Sequence, residues 1–143
     1  FIMAGSGDME LRIIEKAAEL GISHNIFFTG FLRGDEVDKA YQMADVFVMP
    51  SVSEPFGIAP LESLTNSTPV IISKQSGISE ILKNCLVVDF WDIDEMTNKI
   101  MALLKYRSLN ETLVEEGFAE VRNFKWQDAA KKCIDIYKMT GAT

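Results

Sequence analysis

Apolar residues along the chain fall alternately into short unbroken runs and into helical spacings, the order of elements expected of an α/β protein. The runs are Phe1-Ile2-Met3-Ala4, Asn25 to Thr29, Asp45-Val46-Phe47-Val48-Met49, Pro69 to Ser73 and Leu86-Val87-Val88. Short runs rich in β-branched residues and bounded by turn residues predict buried parallel strands. Between them lie helical stripes at Leu11, Ile14, Ala17 and Ala18 and at Val37, Ala40, Tyr41 and Ala44, where Tyr41 is a core position. A short helix from Gly57 or Ile58 to about Thr65 follows, and another begins at Glu80. The last third is helical: Met96, Ile100, Leu103 and Leu104 form one stripe, Leu109 to Val121 a second helix and Trp126 through Met139 a third. The expectation is a parallel sheet of about five strands with helices on both faces, closed by a helical segment over residues 92–143.

Composition narrows the class without naming a function. A chain of 143 residues with 48% hydrophobic and 24% charged residues has one domain's length and ordinary globular composition. Its formal charge of −7 argues against a nucleic-acid surface, which needs clustered Lys and Arg. The two cysteines, Cys85 and Cys133, lack metal-ligand spacing and read as buried free thiols of a reducing, cytoplasmic compartment. No apolar run approaches the ~20 residues of a membrane span.

The chemistry concentrates in the loop Pro50-Ser51-Val52-Ser53-Glu54-Pro55-Phe56-Gly57-Ile58-Ala59-Pro60-Leu61-Glu62. It joins a buried strand to a helix, and in open α/β sheets ligands bind at the carboxyl ends of the strands. Pro60 fits the first helical turn, where its missing N–H is not needed. The N–H groups of Gly57, Ile58 and Ala59 are then free to meet an anion. Helix side chains tilt toward the N-terminus, which brings Glu62 toward the space of Glu54. Two acceptors and several donors converging on one point suit a polyhydroxylated, phosphate-bearing ligand.

Glu54-Pro55-Phe56-Gly57 followed by Glu62 resembles the Glu-x7-Glu signature of family-4 retaining glycosyltransferases of the GT-B fold, the glycosyl transferases group 1. Phe28-Thr29-Gly30-Phe31, Tyr41 through Ser51, Thr68 to Ile72, Gly77-Ile78-Ser79-Glu80-Ile81, and Phe124-Lys125-Trp126 followed by Tyr137 fall in the same order and spacing. The resemblance implies a Rossmann-like, C-terminal, donor-binding half of such an enzyme, lacking its first βα unit. It implies a nucleotide diphosphate sugar as donor, no metal or other cofactor, and retention at the anomeric carbon. Glu54 would orient the sugar hydroxyls as the catalytic-site carboxylate and Glu62 would hold the ribose diol. Phe56, Gly57, Ile58 and Ala59 would line the donor, Phe31, Leu32 and Arg33 would meet the nucleobase, and Gly5 would lie beside the donor pocket. An Arg and a Lys clamping the diphosphate, and an acceptor-binding N-terminal domain, would lie upstream. A piece lacking them is expected to bind donor weakly and transfer nothing. The terminal helix would return toward that absent domain, leaving part of its apolar face exposed.

Other motifs carry less. Gly5-Ser6-Gly7 after a strand suggests a dinucleotide fold, but the third glycine position is Glu10 and no acid ends the strand near Gly30. Asp92-Ile93-Asp94 resembles a metal-binding pair, yet it opens a helix, with Asp92 as N-cap and Glu95 completing a capping box. Asn66-Ser67-Thr68 and Asn110-Glu111-Thr112 match glycosylation sequons that a cytoplasmic chain leaves unused, and His24 has no partner. The family favours glycine where this chain has Ser67 and Ser76; Asn66 is expected to supply the left-handed helix end in place of Ser67. The turn before the last strand is shortened to Lys83-Asn84-Cys85. Alternative functions are a non-catalytic nucleotide-sugar-binding module and a GT-B epimerase or phosphorylase.

Overall fold

The computed structural model describes residues 1–141, so the last two residues of the expected 92–143 helical segment lie outside the described residues. Two compact units divide the chain, Phe1–Lys39 and Ala40 onward. The boundary falls within α2 (Asp35–Met43), whose Val37, Ala40 and Tyr41 are half-buried along with Ala44, the expected stripe.

The first unit holds β1 (Ile2–Ala4), α1 (Glu10–Glu19), a 3-10 turn at Ser23–Asn25 and β2 (Phe27–Gly30). The strands are parallel, with Ile2 opposite Phe27 and Met3 opposite Phe28, and the register then shifts so that Ala4 meets Gly30. At that shift the Gly5 N–H donates to the Gly30 carbonyl at 2.7 Å. Gly5 and Gly30 sit at φ +109° and +66°, a region that residues with a Cβ rarely enter. The inward face of α1 is Ile13 and Ala17; Leu11, Ile14 and Ala18 of the expected stripe are exposed. The helix carries apolar residues on two adjacent faces, and spacing alone points equally to either.

The second unit holds β3 (Phe47–Met49), α3 (Ala59–Thr65), β4 (Val70–Ser73), a 3-10 turn at Gly77–Glu80, β5 (Leu86–Val88), α4 (Ile93–Lys105), α5 (Arg107–Val121) and α6 (Trp126–Met139). Its parallel sheet has the order β3-β4-β5, with Phe47 opposite Val70 and Ile71 opposite Leu86. All four residues of β4 are buried, as expected of a central strand covered on both faces. Val70 and Ile72 pack with Leu64, Ile78, Leu82 and Cys85 on one face, while Ile71 packs with Val88 and Leu103 on the other. Helices therefore flank the sheet, as the hydrophobic pattern predicts. The five expected strands are present, but divided between a two-stranded and a three-stranded sheet. The division follows burial: β4 is buried throughout, whereas every residue of β1 is exposed.

Local details account for the positions where the sequence pattern and the structure differ. Asn66 ends α3 at φ −90°, and Ser67 itself takes the left-handed conformation at φ +61°. Asn66 is occupied otherwise: its side-chain amide donates to the Glu62 carbonyl and accepts from Gln42. The shortened turn at Lys83 and Asn84 is held by Glu120 of α5, whose carboxylate accepts both backbone N–H groups and the Asn84 side-chain amide at 2.9–3.2 Å. A Cβ at Gly117 would stand 2.6 Å from a Leu64 methyl, so this glycine permits α5 to lie close to α3.

Asp92 caps α4 by accepting from the Glu95 N–H at 2.9 Å, which accounts for the Asp92-Ile93-Asp94 sequence. The Glu95 carboxylate pairs with Lys99 at 2.9 Å, so the reciprocal half of the capping box is not made. Leu104 is exposed, unlike Met96, Ile100 and Leu103 of the same expected stripe. Glu80 closes a 3-10 turn rather than opening a helix, which removes a helix dipole as the reason for its charge.

The helix α6 spans the predicted residues and is exposed along its whole length, Trp126 at 79% and Met139 at 86%. Cys133 is exposed with it; only Cys85 is the buried thiol expected of both. Among the described residues no helix is long and apolar enough to cross a membrane.

Candidate functional site

The strand β3 ends at Met49, and the chain then runs through residues 50–58 before α3 begins. The helix starts at Ala59 with Ile58 as N-cap and Pro60 in the first turn, one residue from the expected position. Ile58 offers no side-chain cap, and among the described residues the N–H groups of Gly57, Ile58 and Ala59 meet no acceptor. The first hydrogen bonds of α3 come later, from Leu61 and Glu62 to the Ile58 carbonyl at 2.9 and 3.1 Å. A helix start of this kind leaves donors without partners inside the helix.

This loop lies beside the one that follows β4, and the two pair like short strands. Glu54 N–H donates to Gln75 O at 3.4 Å, Gly77 N–H to Glu54 O at 2.9 Å and Ile78 N–H to Phe56 O at 2.7 Å. Glu54 and Ser76 form a parallel bridge. Gly77 is the close point: a Cβ there would stand 3.0 Å from the Pro55 carbonyl carbon and clash with its oxygen. Gly57 is buried at φ +94°, and a Cβ on it would meet Met49 Cε at 2.9 Å and Glu54 Cγ at 3.2 Å. The bare glycine therefore lies against the stem of Glu54, which is half-buried.

Glu62 is exposed on α3. Tyr41 reaches it, the phenol O–H standing 3.5 Å from Glu62 Oε2. The Tyr41 ring stands edge-on to Phe47 with centroids 5.3 Å apart, and its carbonyl accepts from Thr68 Oγ1 at 2.7 Å. Tyr41 is thus a packed residue, as expected, and also a polar neighbour of Glu62. The helical stripe that marks Tyr41 as core says nothing of where its hydroxyl ends, so sequence reasoning missed this contact.

Phe56 and Ile58 are exposed and Ala59 half-buried, so the apolar members of the loop stand open around Gly57. In the first unit, Phe31 is 73% exposed, Leu32 half-buried and Arg33 exposed, on the loop after β2. Among the described residues the Arg33 guanidinium meets no carboxylate; its backbone N–H donates to Glu36 Oε2 at 3.4 Å. Gly5 lines a cavity of about 170 Å³ with Ser6, Gly7, Met3 and Phe28.

Beyond Glu54, the carboxyl ends of β4 and β5 carry a polar cluster. Lys74 Nζ lies 2.7 Å from Asp89, and Gln75 donates to the same carboxylate at 3.3 Å. The hydrogen bond from Lys74 lowers the Asp89 pKa below the ordinary carboxylate value, and the same bond raises that of Lys74.

Parallel strands flanked by helices are the architecture of the GT-B glycosyltransferases whose solved structures this fold matches. The chain belongs to the glycosyl transferases group 1 family, whose sequence pattern matches residues 1–120. It is 35% identical to an uncharacterized glycosyltransferase of Methanocaldococcus jannaschii, over 96% of this chain and 36% of that protein. It is 30% identical to the D-inositol 3-phosphate glycosyltransferase of Corynebacterium urealyticum, over 94% of this chain and 33% of that one. Its fold matches the sucrose-phosphate synthase of Thermosynechococcus elongatus with a TM-score of 0.84 at 26% identity, covering 99% of this chain and 38% of the synthase. The chain spans about a third of the length of the relatives it matches.

Proposed function

We propose that this chain is the donor-binding part of a retaining glycosyltransferase that moves a hexose-type sugar from a nucleotide diphosphate sugar to an acceptor held by the rest of the protein. The observation that carries the reading is the construction of the Glu54 loop. Glu54, half-buried, stands on the loop after β3, fixed by paired backbone bonds to the neighbouring loop, with the N–H groups of Gly57 to Ala59, which meet no acceptor among the described residues, next to it. A carboxylate accepts hydrogen bonds from hydroxyls, and backbone N–H groups donate to phosphate oxygens. Glu54 is therefore assigned to the sugar hydroxyls and the amides of Gly57, Ile58 and Ala59 to the diphosphate. Glu62, steered by Tyr41, is assigned to the ribose diol.

In this reading the chain's own residues bind and orient the donor. Charge that develops on the leaving diphosphate is met by the amides at the start of α3 and by basic residues elsewhere in the protein. The acceptor hydroxyl is positioned outside this chain, and positioning of that kind is worth about 7–11 kcal/mol of barrier. The chain on its own is accordingly expected to bind donor weakly and to transfer nothing.

Calorimetry on the full-length protein tests the assignment, with UDP-glucose, GDP-mannose and ADP-glucose each compared with its free nucleoside diphosphate. Glu62→Ala weakens conjugate and free nucleotide alike, because the ribose is common to both. Glu54→Ala weakens the sugar conjugate selectively. Each loss is about ten- to a hundredfold, the effect of removing a carboxylate whose charge-assisted hydrogen bond to the ligand is worth about 1.5–3 kcal/mol. An equal loss of both ligands in the Glu54 variant contradicts the assignment.

A further inference from the structure

The loop that carries Glu54 is tied to β4 by the Ser73 hydroxyl, which is backed by a second buried hydroxyl on Ser76, and no backbone pairing requires either. Ser73 Oγ donates to the Ser51 carbonyl at 2.6 Å, and Ser76 Oγ lies 2.9 Å from Ser73 Oγ. A serine has one proton to give, and Ser73 spends it on Ser51, so the Ser76 hydroxyl is the donor to Ser73. Ser73 and Ser76 are at most 1% exposed. The relay runs from the second loop, through the last residue of β4, to the third residue before Glu54. On the other side of Glu54, the Gly77 and Ile78 N–H groups hold the Glu54 and Phe56 carbonyls. Glu54 is thus gripped from both sides along the chain, by the Ser73 hydroxyl at Ser51 and by amides at residues 54 and 56.

We propose that the buried Ser73–Ser76 hydroxyl pair is a positioning device for Glu54, setting the place of the sugar-recognising carboxylate while leaving nucleotide recognition at Glu62 untouched. The proposal rests on the donor-site reading above. Buried hydroxyls are kept only where they are bonded, and a bonded network in a water-excluded site fixes one geometry. Ser73 makes both contacts of the relay and Ser76 only one. Loss of Ser73 therefore has the larger effect, because it leaves the Ser51 carbonyl and the Ser76 hydroxyl without partners.

The test uses Ser73→Ala and Ser76→Ala in the full-length protein, with two readouts. Hydrogen exchange followed by mass spectrometry reports the loop pairing without any ligand. Peptides covering Gly77 and Ile78 are expected to exchange about tenfold faster in Ser73→Ala and severalfold faster in Ser76→Ala, with β4 itself unchanged. Calorimetry then gives the preference for UDP-glucose, GDP-mannose or ADP-glucose over the matching free diphosphate. That preference is expected to fall about tenfold in Ser73→Ala and about threefold in Ser76→Ala, with free-nucleotide affinity falling less, since the Glu62 contact is kept while the Gly57 to Ala59 amides share the loosened loop. A merely structural role would weaken both ligands equally. Unchanged exchange in both variants overturns the clamp, and faster exchange with an unchanged preference overturns its link to Glu54. If the unaltered protein binds none of these nucleotide sugars or diphosphates, the donor-site reading falls first and the positioning role with it.

Discussion

Adding one methyl group at Gly77 should separate the two loops that form the candidate site. Gly77 has an ordinary backbone conformation, so the cost of Gly77→Ala is one of space and not of φ. The added Cβ would stand 3.0 Å from the Pro55 carbonyl carbon, 3.3 Å from Phe56 Cα and well inside contact with Pro55 O. Each of these is backbone, and no side chain can swing away to make room. Relief requires the loops to part, which breaks the hydrogen bonds from Gly77 to Glu54 and from Ile78 to Phe56. Two such bonds are worth about 1–3 kcal/mol together, and overpacking in a filled site adds about 1–3 kcal/mol. The sum, about 2–6 kcal/mol, corresponds to a fall in Tm of roughly 5–20 °C for a domain of this size. Chemical denaturation of Gly77→Ala against wild type measures it directly. Gly7→Ala serves as the control, since a Cβ there meets nothing within 4 Å. A Gly77→Ala protein within about 0.5 kcal/mol of wild type would refute the reasoning.

The two thiols should behave differently. Burial, with a smaller contribution from Glu120, pushes Cys85 up to about 11, so at pH 8 a thiolate-seeking reagent should label Cys133 and spare Cys85 in the folded protein. Because the folded value lies above the ordinary 9.0, the Cys85 contribution to stability is complete below pH 9 and falls as pH rises from 9.0 toward about 11. Equal labelling of both thiols before unfolding would contradict the placement. Glu120→Ala removes the acceptor of the 83–84 turn and should cost about 1–3 kcal/mol in denaturant unfolding, while Glu120→Gln, which keeps one acceptor oxygen, should cost less. A Glu120→Ala protein as stable as wild type would show that the turn does not depend on that carboxylate.

Much of the fold is legible because short apolar runs and stop signals coincide. The strand Leu86–Val88, the Asp92 cap and the helix Trp126–Met139 lie where the pattern puts them. Errors arise where two physical solutions share one pattern. In α1, Leu11 and Ile14 compete with Ile13 and Ala17, and only tertiary packing selects the second face. At the end of α3 both Asn66 and Ser67 can close the helix; the Asn66 side chain is engaged by Glu62 and Gln42, and the strained φ passes to Ser67. The candidate site divides in the same way. Glu54, Gly57 and Glu62 are visible as a local motif, within one loop and one helix. The pairing of residues 54–56 with 75–78, the Ser73–Ser76 relay and the Tyr41 contact to Glu62 join residues 20 or more apart in several cases. No periodicity records such contacts, because they are set by the neighbouring positions of β3 and β4 in the sheet.

The central claim, a retaining sugar transferase that uses Glu54 to hold its donor, is tested most directly by the anomeric configuration of the sugar it releases. Full-length protein is incubated with the nucleotide sugar it binds best, and the first-formed product of transfer, to water or to an added acceptor, is read by proton NMR before mutarotation. The account predicts release of the nucleoside diphosphate with the sugar keeping the donor's configuration, and loss of that release in Glu54→Ala. An inverted first product, or full activity in the Glu54→Ala protein, would contradict it.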